Sequence, residues 1–208
     1  MKRWDNYSIQ AQAAMQYFLG YDHGKLIQKL KLSHNPEFLF TRMLGKSYRI
    51  SRCTGQIQRF DQDWQDVHSY NEIMTLLDLV CDSREDRFLT LRWKSMEAFG
   101  QMFHRNLLEN ETDPFAEKIQ ADTRAFIAAC AGLDAQPGPG GDLSFAIELF
   151  DGLRIAVQFW EGDDEFPPRV RFLWDENARM YLKYETMYFA VGMLKGRITE
   201  LMESRQQR

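Results

Sequence analysis

Three carboxylates stand in a row at Asp163, Asp164 and Glu165, followed by Phe166-Pro167-Pro168, a stiff and partly apolar segment. Neighbouring carboxylates offer hard oxygen ligands of the kind that Mg²⁺ or Ca²⁺ takes, although the spacing fits no EF-hand loop. The same charges also describe a solvated turn whose repulsion keeps a sheet edge from pairing. The prolines set the segment apart, because a fixed backbone lowers the ordering cost of binding. Further on, Trp174-Asp175 and Tyr184-Glu185 add two aromatic–acid pairs. Glu185 reads either as a buried acid with a raised pKa, as catalytic acids often are, or as a carboxylate favoured by the positive end of a helix. The candidate ligand-binding residues are therefore Asp163, Asp164, Glu165, Phe166, Trp174, Asp175, Tyr184 and Glu185. They name no reaction.

Other chemistry is sparse. His23, His34, His68 and His104 never fall at i, i+4 or as H-x-H, and Cys53, Cys81 and Cys130 form no C-x-x-C pair. The cysteines read as reduced thiols, and no metal site or cofactor is predicted from the pattern. No G-x-S-x-G elbow or H-E-x-x-H helix is present. The glycine-rich run 136–141 leads from a helix into a strand, the reverse of a phosphate-cradling loop, and reads as a linker.

These residues need elements to hold them. Leu143, Phe145, Ile147 and Leu149 alternate, as do Leu153, Ile155, Val157 and Phe159. A three-residue loop, Phe150-Asp151-Gly152, puts both rows on one face and pairs Leu149 with Leu153. A third strand carries Val170, Phe172 and Trp174, and a long helix carries Tyr184, Met187, Tyr188, Val191, Leu194, Ile198 and Leu201. In the first half, a helix over 6–18 with Ile9, Ala13 and Tyr17 on one face precedes a helical piece over 25–32. Three strands follow at 38–44, 48–52 and 56–60, with two-residue loops at Gly45-Lys46 and Thr54-Gly55. Ser69-x-x-Glu72 has the form of a capping box opening a helix to about Asp82. Asp113-Pro114 opens another that runs to about Gly132 with a stripe of Phe115, Ile119, Phe126 and Ala129. Between them a short strand at 88–91 and a helix from Gln101 are expected.

Both halves thus read as a helix, three strands and a helix, and Phe60-Asp61 to Glu72 parallels Trp174-Asp175 to Glu185. The expectation is one domain over 1–208, with pseudo-repeats at 6–82 and 113–203. Its fold class is α+β, an antiparallel sheet of about six strands with helices mainly on one face.

The segment 161–168 (EGDDEFPP), with Leu173-Trp174-Asp175 and Tyr184-Glu185-Thr186, resembles an uncharacterised bacterial and archaeal family of unknown function. Gly141-Asp142 and the alternating hairpin fit the same pattern. The resemblance covers 140–192 and implies a cytoplasmic protein, typically from anaerobes, with no activity to carry over. Some relatives look as if they carry added iron–sulfur segments, for which this chain has no cysteine spacing.

At 208 residues and 44% hydrophobic, the chain can bury a core, and its net charge of −4 argues against a nucleic-acid partner. The start MKRWDNYSIQ has no apolar run behind it, and no segment reaches the ~18 apolar residues of a membrane span. A monomer or homodimer is expected. The function expected is a non-enzymatic module binding a small ligand or a protein on the less covered sheet face. The alternative is a metal-assisted enzyme using Asp163–Glu165.

Overall fold

A two-residue hairpin loop closes best when both residues take left-handed φ, because its twist then matches that of the strands. The chain does this twice, at Leu44-Gly45 (φ 48° and 75°) and at Asp151-Gly152 (φ 48° and 80°). In the computed structural model, which describes residues 6–100 and 113–206, each turn lies within its own five-stranded antiparallel sheet. The single sheet of about six strands expected from the sequence is therefore replaced by two sheets of five. The added strands hold only two to four residues, too few to carry a visible alternation.

Two compact units result. One gathers the chain up to Phe88 with Met180–Met193, and the other gathers Leu89–Arg179 with the chain from Leu194 onward. The first holds α1 (Asn6–Leu19), α2 (His23–Leu30), β1 (Ser33–His34), β2 (Phe38–Met43), β3 (Lys46–Ser51), β4 (Ile57–Asp61), β5 (Asp63–Asp66) and α3 (Tyr70–Leu77). Its strands lie in chain order, β1-β2-β3-β4-β5. Leu39 pairs with Ile50 and Ile50 with Ile57, so the predicted face is buried, with Leu39, Met43, Tyr48, Ile50 and Ile57 in the core. The register is two residues off the predicted one, and the second connection runs over Arg52–Gly55 instead of two residues. A shift of two keeps the side chains on the same face.

Two local expectations are corrected here. On α1 the buried residues are Ala11 and Phe18, while Ile9 and Tyr17 are exposed. Two stripes of similar strength run along that helix, and packing against α3 selects the one through Phe18. The capping box is only half made. Ser69 accepts from the Glu72 amide, but the Glu72 carboxylate accepts instead from the Tyr48 hydroxyl at 2.7 Å and from Arg59 at 2.8 Å. A buried charge-assisted pair outweighs a local cap.

The second unit holds β6 (Trp93–Ser95), α4 (Pro114–Ala121), α5 (Thr123–Ala131), β7 (Gln136–Pro137), β8 (Leu143–Phe150), β9 (Leu153–Trp160) and β10 (Arg169–Asp175). The last helix, α6 (Tyr184–Gln206), begins in the first unit and ends in the second. The strand order is β6-β10-β9-β8-β7. Ile147 pairs with Ile155 as predicted, but Phe150 pairs with Leu153 and Leu149 is the extra residue of a bulge. The bulge absorbs the odd residue that the three-residue loop was expected to absorb, so the tighter turn forms.

Asp122 ends α4 and accepts from the Ala125 amide to start α5, which splits the helix expected to run through to Gly132. Phe126 of α5 lies 5.6 Å from Phe145 and 6.4 Å from Phe159, edge-on or tilted, and covers the odd-numbered face of the hairpin. The opposite face buries Ala146, Ala156 and Leu173 against Trp93. The run read as a linker contributes β7, which pairs with β8. The expected strand at 88–91 is displaced to β6, and the expected helix from Gln101 lies outside the described residues. No helix among the described residues is long and apolar enough to cross a membrane.

Candidate functional site

The eight residues singled out from the sequence have separate partners. Asp163 Oδ1 accepts the amides of Glu165 (2.9 Å) and Phe166 (2.8 Å), closing a self-contained turn that also joins the Asp163 amide to the Phe166 carbonyl. Asp164, Glu165 and Phe166 are exposed. Among the described residues no peptide bond is cis, the Phe166-Pro167 bond included, and no three His, Cys, Asp or Glu side chains are placed to hold a metal ion.

Asp175 is buried, and its carboxylate accepts the amides of Leu91 (2.6 Å), Asn177 (2.8 Å) and Thr90 (3.0 Å). It organises a loop in which Leu91 has φ 60°. Trp174 is fully buried in the second unit. In the first unit, the Tyr184 hydroxyl meets that of Tyr188 at 2.9 Å, and Glu185 is exposed on the helix opening. The buried-acid reading of Glu185 is therefore corrected.

The less covered face of the first sheet does collect aromatic rings. Phe38, Phe40 and Trp64 gather around the Arg49 guanidinium, 4.3 Å from the Phe38 ring and 4.6 Å from the Trp64 ring. Arg49 Nε donates to Gln58 at 2.6 Å, and Gln58 donates to Asp66 at 2.7 Å. The rings pack on the guanidinium and on one another.

A cleft does open elsewhere in the first unit, between α1, α3 and the start of α6, with a volume of about 360 Å³. It arises where α3 stops being an α-helix. After Leu77 the chain makes one π-helical turn, Asp78–Asp82, before Ser83. Such wide turns are uncommon and recur at functional sites. Residues four apart in a wide turn project to nearly the same side, which brings both Asp78 and Asp82 to the cleft. The Lys29 ammonium of α2 secures the end of the turn by donating to the carbonyls of Cys81 (2.9 Å) and Ser83 (2.8 Å), where a cation complements the exposed carbonyl end.

Phe18, Leu77 and Met74 make the apolar wall, and Tyr17 and Tyr21 stand at the mouth. At the polar end the Tyr21 hydroxyl donates to Asp82 at 2.5 Å, and the Lys183 ammonium bonds the other Asp82 oxygen. Asp78 Oδ2 accepts the Lys183 amide at 2.6 Å and the Thr186 hydroxyl. Asp78 Oδ1 has no hydrogen-bond donor among the described residues, and the Lys183 ammonium stands 3.4 Å away from it.

The electrostatics follow from these contacts. The hydrogen bond to Asp82, with burial, holds the Tyr21 phenol well above its usual range. The bond to Asp82 likewise raises Lys183. Burial pushes Asp82 up, but the hydrogen bonds from Lys183 and Tyr21 outweigh it and leave the carboxyl below its ordinary value. Burial pushes the Cys81 thiol up to about 12.

None of the cleft's residues was among the eight predicted. They come from three stretches far apart in sequence, and the one visible signal was Asp78, a charge inside the apolar run Leu76-Leu77-Asp78-Leu79-Val80.

The chain belongs to the family described as a domain of unknown function, DUF3786, whose profile matches residues 22–197. No curated protein and no solved structure matches it.

Proposed function

We propose that this DUF3786 member is a non-enzymatic module that binds a small ligand in the cleft of its first unit. The observation that carries the reading is the cleft itself, about 360 Å³ with an apolar wall and a polar end where Tyr21 and Lys183 both bond Asp82, and the charge states of those groups agree with it. Lys183 stays an ammonium, Tyr21 a phenol, Cys81 a thiol and Asp82 a carboxylate, each shifted away from the range where it would exchange a proton. A general acid or base works best with a pKa near the operating pH, and a nucleophile needs its deprotonated form. Groups held in this way bind and orient. A metal-assisted reaction at 163–165 has less support, because Asp163 already accepts two amides.

The test is a fragment screen read by amide NMR shifts on the parent and on Ala14→Trp, which fills the cleft. Fragments should shift Tyr21, Asp82 and Thr186 in the parent and lose that effect in the filled variant. Equal binding to both proteins would overturn the assignment.

We also infer that residues 6–82 and 113–203 are worn copies of one unit. The orders β1-β2-β3-β4 and β7-β8-β9-β10 correspond strand by strand. Each begins with a two-residue edge strand after a helix, and each closes its next hairpin on the same left-handed pair, Leu44-Gly45 or Asp151-Gly152. The fifth strand differs, because β5 follows its meander whereas β6 precedes it. Superposing the two meanders should lay one turn on the other. A mismatch there would leave only two similar layouts.

A further inference from the structure

We infer that the ligand is a small primary amine with an apolar body about one ring in size, held as an ammonium against Asp78. The inference rests on the cleft being a ligand site. Asp78 is only 5% exposed and lines the cleft, and its Oδ1 receives no hydrogen bond among the described residues, with the Lys183 ammonium at ion-pair range, 3.4 Å away. Its other oxygen is satisfied twice, by the Lys183 amide and the Thr186 hydroxyl. A buried carboxylate oxygen that has a charge partner but no hydrogen bond is still under-satisfied, so a donor arriving in the cleft gains more than an ordinary surface hydrogen bond.

Charge then selects among donors. Two carboxylates, Asp78 and Asp82, face one ammonium, that of Lys183, which leaves the polar end with one negative charge. Lys29 caps the carbonyls behind the turn and does not line the cleft. An anionic head would meet Asp78 and Asp82 unfavourably, a neutral hydroxyl would satisfy Oδ1 without using the charge, and an ammonium does both. Tyr17 and Tyr21 also line the cleft, and aromatic side chains of this kind attract cations. The volume of about 360 Å³ lies at the small end of ligand pockets, which run from about 300 to 1,000 Å³, and so suits a single ring.

Three probes of one shape separate the possibilities: benzylamine, benzyl alcohol and benzoate, each titrated by calorimetry with amide NMR to locate it. Benzylamine should bind most tightly and shift Tyr21, Asp82 and Thr186, and benzoate should bind least. Asp78→Asn should weaken benzylamine by about tenfold or more, the scale of a hydrogen bond to a charged group, with little change for benzyl alcohol.

Because Asp78→Asn can also loosen the fold, Lys183→Met supplies a second variant that keeps the backbone bond to Asp78. By leaving two uncompensated carboxylates it should tighten benzylamine about threefold or more and weaken benzoate. Benzoate binding as well as benzylamine in the cleft, or benzylamine unchanged or weaker in Lys183→Met, overturns the amine while leaving the cleft as a site. Failure of all three probes to shift the cleft amides overturns both.

Discussion

Asp78 and Thr186 lie 108 positions apart in the chain and share a buried hydrogen bond, the threonine hydroxyl donating to Asp78 Oδ2. The same oxygen accepts the Lys183 amide, so one carboxylate in the π turn does for the opening of α6 what a capping residue does from within its own helix. The polar end of the cleft is thus also a structural tie.

Asp78→Ala should therefore lower stability by about 3 kcal/mol, because it strands two donors, the Lys183 amide and the Thr186 hydroxyl, at a buried site. Asp78→Asn, which retains an acceptor, should cost less. Urea unfolding curves measure both, and a loss no larger for alanine than for asparagine would show that the tie carries no weight.

The Tyr48–Glu72 pair predicts a stability change with pH. Burial, then the charge and hydrogen bond of Glu72, hold the Tyr48 phenol far above its usual range. The unfolded phenol loses its proton near pH ~10 while the folded one keeps it, so stability is full below that pH and falls above it by about 1.4 kcal/mol per unit. Tyr48→Phe should cost about 1 kcal/mol at pH 7, by removing one donor to Glu72. It should also escape the alkaline loss, so the two stability curves should cross near about pH 11. Parallel curves from pH 9 to 11.5 would contradict the assignment.

Two glycines with left-handed φ should respond differently to alanine. At Gly152 (φ 80°) the new Cβ would meet a Leu89 methyl at 3.4 Å, so the cost should be the left-handed penalty of about 1 kcal/mol. At Gly55 (φ 72°) it would lie 2.3 Å from the Met15 carbonyl oxygen, and backbone must move. Gly55→Ala should therefore cost about 3 kcal/mol, adding overpacking strain to the same penalty. Thermal melts of the two variants test the order.

Asp175 and Glu185 were both candidate site acids, and the structure separates them. Asp175→Ala should cost about 3 kcal/mol because a buried carboxylate serving three backbone amides is lost. Glu185→Ala should leave the unfolding midpoint unchanged. Similar midpoints for both variants would remove the distinction.

Strand alternation alone identified the β8–β9 hairpin, the β2–β4 meander and the buried face of each, because a period of two is a local property that burial enforces residue by residue. The Ser69 and Asp113 helix starts were legible for a similar reason, because a cap is made within one turn of chain. The bulge at Leu149, the diversion of Glu72 to Tyr48 and the choice of the Phe18 stripe on α1 were not legible, since each is settled by a partner distant in sequence. The cleft is the extreme case. Tyr21, Asp78, Asp82, Lys183 and Thr186 form no motif at any spacing, and only the packing of three helical segments against one another makes them neighbours. The acidic run 163–165 was conspicuous in sequence because its charges are adjacent, yet adjacency along the chain let Asp163 satisfy its own turn. Asp78 lay in an apolar run, and tertiary structure alone decided which donors would reach it.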